Sequence, residues 1–212
     1  SRAVIEAVSA GRMGHVRVSY APQEPALPEW LRVGEALRLF GVDGAVLAER
    51  MPGLLLGEVL RARVSHLSGG QRQIVGVAAA LAVPTDMVLL DEPFAALDMR
   101  RRRGLMDLLA AVRIEAPERT VVVASQVAAD LFELATWLIV LSDRRYAFRG
   151  PRAELLQRDA HADALTFERR LFAVMDGAVT PSPTSATMKG DPAGDTESTT
   201  AHTPAADAAE HS

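Results

Sequence analysis

Cysteine is absent from the 212-residue chain, which excludes a disulfide framework and a thiolate metal site. A cysteine-free chain fits a reducing compartment. Lysine is nearly absent as well. The one lysine is Lys189, while arginine is plentiful, so chemistry that needs an ammonium group has no residue to use before position 189. The five histidines, at 15, 66, 161, 202 and 211, show no metal-ligand spacing and read as solvated or capping residues. Long apolar runs are also missing. The longest, Ile74 to Val83, stops at Pro84 and falls well short of the roughly 20 residues that span a bilayer. The net charge is -4, so no overall basic field advertises nucleic acid.

What is present is an ordinary globular composition, 49% hydrophobic and 24% charged, of a length that suits one domain with an appendage. The segment GHVRVSYAPQ alternates and reads as a strand that ends at Pro22. In PEWLRVGEALRLFG, the residues Trp30, Leu31, Val33, Leu37 and Leu39 predict a helix closed by Gly41. Residues 44–64 read as shorter helical pieces broken at Pro52-Gly53. Gln71 to Val83 is apolar nearly all round, so a buried helix is expected. Three continuous apolar runs, DMVLLDEP, RTVVVASQ (119–126) and TWLIVLSD (136–143), suit strands buried on both faces of a parallel sheet. Helical segments at about 100–114 and 127–135 separate them, the alternation of an α/β domain. Two more helices are expected between Pro151 and about Met175. From 177 to 212 the composition turns to Pro, Thr, Ser, Ala, Gly and Asp, and this stretch is expected to be a disordered tail.

Two stretches carry candidate chemistry. MVLLDEP brings Asp91 and Glu92 to the C-terminal end of a buried strand, the edge where open α/β sheets bind ligands. There, Asp91 can hold Mg²⁺, usually through water, and Glu92 can orient or deprotonate an attacking water. The same residues could equally begin a loop with no further task. In LSGGQ, Ser68 suits an N-cap, and Gly69 and Gly70 allow close backbone approach. The free N–H groups and positive helix end favour an anion. A capped, buried helix is the competing reading.

The motifs occur in order. Gln23 closes the first strand, Ser68 follows, Asp91 comes 23 residues after Ser68 (91 − 68), and FAALD places Asp98 seven residues later (98 − 91). This set resembles the nucleotide-binding domain of ABC ATPases over about residues 15–160. Within that family, PQEPALPEWLRVGEALRLFG and GPRAELL look most like ATP-binding subunits of multidrug or ABC-2-type exporters. The resemblance implies an α/β, P-loop NTPase-like parallel-sheet core with a helical signature subdomain at about 24–75. Residues 1–176 would form a partial domain lacking the N-terminal strand and phosphate loop. It implies ATP and Mg²⁺ as cofactors. Gln23 would sense Mg²⁺ and the attacking water. Ser68, Gly69, Gly70 and Gln71 would meet the γ-phosphate of ATP held by an opposing domain. Asp91 would be the Mg²⁺ carboxylate and Glu92 the catalytic base. Asp98 would lie in the loop crossing the dimer interface. The implied partners are a transmembrane permease subunit and a second ABC ATPase domain, with the chain peripheral on the cytoplasmic face of the membrane.

The chain departs from the family in two places. No G-x-x-x-x-G-K-[ST] phosphate loop occurs, and with Lys189 the only lysine no disguised copy exists in the core. About fourteen residues precede the first strand and the chain starts with Ser, which leads us to expect an N-terminal segment beyond this sequence. The family's histidine after the following strand aligns with Gln126, which can donate a hydrogen bond but cannot become cationic. Slow hydrolysis is expected, and a degenerate, non-hydrolysing subunit is the alternative. A non-transport ABC ATPase acting on DNA or ribosomes is a third reading, opposed by the absence of sustained heptads. The run MRRRRG (99–104) is expected to be a solvated or interface helix start rather than a nucleic-acid site.

Overall fold

The computed structural model describes residues 16–159 and 161–177. Strands β1 (Val18–Ala21), β2 (Met87–Asp91) and β3 (Thr120–Ala124) form a parallel sheet in that order. Tyr20 pairs with Leu89 and Asp91 with Ala124. Helices α1 (Val33–Leu39) and α2 (Gly44–Arg50), three 3-10 turns and α3 (Gly69–Ala82) fill the connection from β1 to β2. Helix α4 (Met99–Glu115) links β2 to β3, and α5 (Ala128–Leu134) follows β3. One apolar core joins sheet and helices through Val33, Leu37, Leu54, Ile74, Val88 and Leu105. The helix at 30–41 is shorter than its apolar pattern predicts. It begins at Val33, and Trp30 lies outside it, 74% exposed.

Helix α3 forms because each end is satisfied. Ser68 Oγ accepts from the Gln71 N–H at 3.2 Å, and Gln71 Oε1 accepts from the Ser68 N–H at 2.9 Å. At the other end, Arg119 donates to the carbonyls of Leu81 and Val83, each at 2.7 Å, and the Ser19 hydroxyl donates to Ala80 O at 2.8 Å. Between its ends lie eight buried residues, including Ile74, Val75, Val77 and Leu81.

The expectation for TWLIVLSD is corrected. Strand β4 (Trp137–Ser142) pairs antiparallel with β5 (Arg145–Pro151), apart from the parallel sheet. Only Leu138 is buried there, while Trp137, Ile139 and Leu141 are exposed. An apolar run cannot by itself say which neighbour it will pair with. The hairpin packs with α6 (Arg152–Leu155) and α7 (Ala164–Met175) around Leu138, Phe148, Phe167 and Leu171. The expected disordered tail lies outside the described residues except for Gly177, which sits in a turn at φ +70°.

Candidate functional site

The loops after β1 and β2 meet the start of α3 around a cleft of about 680 Å³. Its lining includes Gln23, Pro25, Gly69, Gln73, Glu92 and Ala96. Three motifs that are far apart in sequence therefore face one space. Ser68 and Gly69 are exposed and Gly70 is half-buried, so the signature turn stands at the surface of the core.

The two glycines of that turn differ. A Cβ at Gly69 would meet only the Ala96 Cβ, at 4.0 Å, whereas a Cβ at Gly70 would lie 2.3 Å from the Ala96 carbonyl oxygen. Gly70 is a glycine because the loop after Glu92 rests on it. Gly76, six residues along the same helix, seats the loop after β1, since a Cβ there would lie 2.5 Å from Pro25 Cγ. Gln73 lies between these two seats, 2% exposed, and its Nε2 has no hydrogen-bond partner among the described residues. Sequence reasoning missed Gln73, Gly76 and Tyr20. The helical spacing 70, 73, 76 was a readable signal for the first two.

Asp91 and Glu92 leave the sheet side by side but are held differently. The Tyr20 hydroxyl donates to Asp91 Oδ2 at 3.2 Å. Burial, then the Asp91 charge and this hydrogen bond, push the Tyr20 phenol above its ordinary pKa. Glu92 extends the ladder, its N–H donating to Ala124 O at 2.9 Å, yet it stands at φ +46°, a conformation unfavourable for a side chain with a Cβ. Its Oε1 accepts from the Gln126 N–H at 3.0 Å. Glu92 and Gln126 are thus joined directly. Gln126 itself is exposed and borders a separate recess with Val127, Leu165 and Glu168.

Asp98 is not among the residues that line the cleft. It caps α4, accepting from the Arg101 N–H at 2.9 Å. That bond and the guanidinium of the same residue hold its carboxyl below the usual range. The arginines of the run turn to different partners, and the Arg101 side chain is largely buried rather than solvated. Arg101 also reaches Glu58 at 3.0 Å, Arg103 pairs with Asp107, and Arg102 pairs with Asp130 while lying over the Phe94 ring. Asp130 is fully buried, and burial raises its pKa despite Arg102.

Residues 7–95 match the family model described as ABC transporter. Over those residues the chain is similar to that family. It is 32% identical over 148 residues to a molybdenum import ATP-binding protein of Pseudomonas fluorescens, covering 66% of this chain and 41% of that protein. It is 37% identical over 144 residues to a taurine import ATP-binding protein of Pseudomonas aeruginosa, covering 64% and 52%. The chain thus spans about half or less of the length of these relatives. A solved structure of the ATP binding subunit of an ABC transporter superposes with a TM-score of 0.62 at 21% identity, covering 78% of this chain and 72% of that one, a likeness of fold. The α/β, parallel-sheet architecture expected from the motifs is the one observed.

The residues present suit a divalent cation on Asp91. Its Oδ1 has no partner among the described residues, and its side chain is half-buried at a strand end. No cluster of three or more His, Cys, Asp or Glu that could hold a metal occurs among the described residues. The remaining coordination would therefore fall to phosphate oxygens and water, as Mg²⁺ prefers.

Proposed function

We propose that this chain works as the ATP-binding subunit of an ABC transporter of the importer type. The observation that carries the reading is the convergence of Gln23, Gly69 and Glu92 on one cleft, with Asp91 beside it. The relatives' names favour import over the exporter subgroup, which they do not support. Their cargoes, molybdenum and taurine, differ too much in chemistry to name one for this chain.

In this reading the Ser68–Gly70 turn, exposed at Ser68 and Gly69, closes over the triphosphate of ATP held by a second such domain. The turn's N–H groups and the positive end of α3 meet the γ-phosphate. Ser68 Oγ accepts within the capping box but still has its proton to donate. Asp91 would hold Mg²⁺, which neutralises developing phosphate charge when bound. Glu92 Oε1 is engaged by Gln126, so the other carboxylate oxygen is the one that would orient a water. No lysine precedes position 189, so tight binding of a nucleotide on this chain's own side needs a phosphate loop from beyond these 212 residues. Trp30, Leu39, Phe40 and Val46, exposed around α1 and α2, offer apolar surface to a membrane permease. Among the described residues no helix is long and apolar enough to cross a membrane. A peripheral position on the cytoplasmic face is part of the proposed role as partner of a permease.

The test is ATP binding and turnover by the 212-residue chain and by a version extended through its upstream coding sequence. Weak binding by the short chain, with turnover in the extended one that Glu92→Gln abolishes, is expected. Tight binding by the short chain with Lys189 replaced would overturn the reading. Binding without turnover in the extended protein would instead favour the degenerate subunit, for which Gln126 in the family's histidine position is the supporting observation.

A further inference from the structure

We propose that Tyr20 is a positioning residue for Asp91, turning its carboxylate so that Oδ1 is presented to a divalent cation. This rests on the reading of Asp91 as the cation's carboxylate. The two residues are 71 apart in sequence and meet through strand register. Tyr20 pairs with Leu89, and Asp91, two residues further along β2, returns to the same face. The phenol reaches forward and donates to Oδ2 at 3.2 Å, while Oδ1 has no partner among the described residues.

A lone carboxylate at a strand end rotates freely about χ1 and χ2, and binding a cation then costs the entropy of fixing it. One donor on one oxygen removes much of that freedom and leaves the other oxygen, which has no hydrogen-bond partner among the described residues, for the cation. Packing alone gives no reason for the hydroxyl. Tyr20 is 41% exposed, and phenylalanine would cover the same apolar surface. The arrangement also ties Asp91 to the Gln23 segment, because Tyr20 and Gln23 lie three residues apart on the same strand end and Pro25 anchors that loop on Gly76.

The chain has two tyrosines, Tyr20 and Tyr146, so 3-fluorotyrosine labelling gives two ¹⁹F signals, assigned with Tyr146→Phe. Mn²⁺ titrated into the full chain should broaden the Tyr20 signal before that of Tyr146, and Asp91→Asn should remove the preference. The Glu92 amide serves as a second probe, and Tyr20→Phe should raise the Mn²⁺ concentration for half-broadening there about three- to tenfold. An unchanged midpoint in Tyr20→Phe, with Asp91→Asn still abolishing the effect, would overturn the role of Tyr20 and leave that of Asp91 standing. Equal broadening of both tyrosines would remove the cation reading of Asp91, and the role of Tyr20 with it. Should Tyr20→Phe fail to fold, the metal-free ¹⁹F shift decides. The Tyr20 signal must move in Asp91→Asn, and a signal that stays in place refutes the contact.

Discussion

Replacing Gly69 and Gly70 one at a time by alanine separates a glycine needed for folding from one left open to a ligand. Both lie in the first turn of α3, so the gain in helix propensity, up to about 1 kcal/mol, is nearly common to the two variants and cancels in their comparison. What differs is the space each methyl enters. At Gly69 the nearest atom is 4.0 Å away, an ordinary contact. At Gly70 the methyl would be 2.3 Å from the backbone oxygen of Ala96 and 3.3 Å from its carbon. A backbone carbonyl cannot rotate away as a flexible side chain can, so the loop carrying Phe94 to Leu97 must move. Overpacking of this kind costs about 1–3 kcal/mol. For a chain of this size each kcal/mol shifts Tm by roughly 2–4 °C, so Gly70→Ala should melt about 2–12 °C below Gly69→Ala. Thermal unfolding by circular dichroism, with urea midpoints as a second measure, reads the difference. Gly69→Ala should fold at least as well as the parent, yet in a turnover-competent extended protein it should lose activity, since its methyl stands where the opposing phosphate would approach. Equal Tm values for the two variants, or a more stable Gly70→Ala, would refute the packing argument.

Other measurements test the remaining contacts. Arg119→Met leaves the carbonyls of Leu81 and Val83 without their charged donor and should cost about 2–4 kcal/mol in urea unfolding. Gly76→Val should displace Pro25 and speed amide exchange at Gln23, Glu24 and Ala26 while sparing β2 and β3, whose register does not depend on that loop. The carboxyls of Asp86, Asp98 and Asp163 are held below their ordinary pKa, chiefly by bonds to Arg17, Arg101 and Thr166. Their stabilisation is complete above the unfolded value near 4 and is lost as pH falls through the lowered folded values. Asp130 acts in the opposite sense. Its raised pKa means that the fold favours the protonated acid, so stability declines as pH rises from about 4 through that value. Urea midpoints against pH should show this limb in the parent chain and a flatter one in Asp130→Asn, and identical profiles would refute it.

The sequence alone determined whatever depends on neighbours a few residues apart. Ser68 was legible as the cap of α3, while its reciprocal bond with Gln71 and the capping bond of Asp98 on α4 came with the structure. MVLLDEP places two carboxylates at a strand end because a buried run followed by polar residues has little other use. The helices at 69–82, 99–115 and 128–134 were legible from the same short-range patterns. The order Gln23, LSGGQ, Asp-Glu and Asp98 was enough to point to the family that residues 7–95 match. Only the tertiary structure decided which strand TWLIVLSD joins, because an apolar run has no preference among partners until they compete for its edges. It likewise separated Gly69 from Gly70, which are identical letters until Ala96 is brought against one of them. The same holds for Arg119 at the end of α3, Asp130 beneath Arg102, and Tyr20 on Asp91. Those pairs lie between 28 and 71 residues apart, and no periodic pattern carries information over such separations. They exist because the sheet register and the core fix where each backbone runs, and the side chains then find whatever donor or acceptor lies within reach.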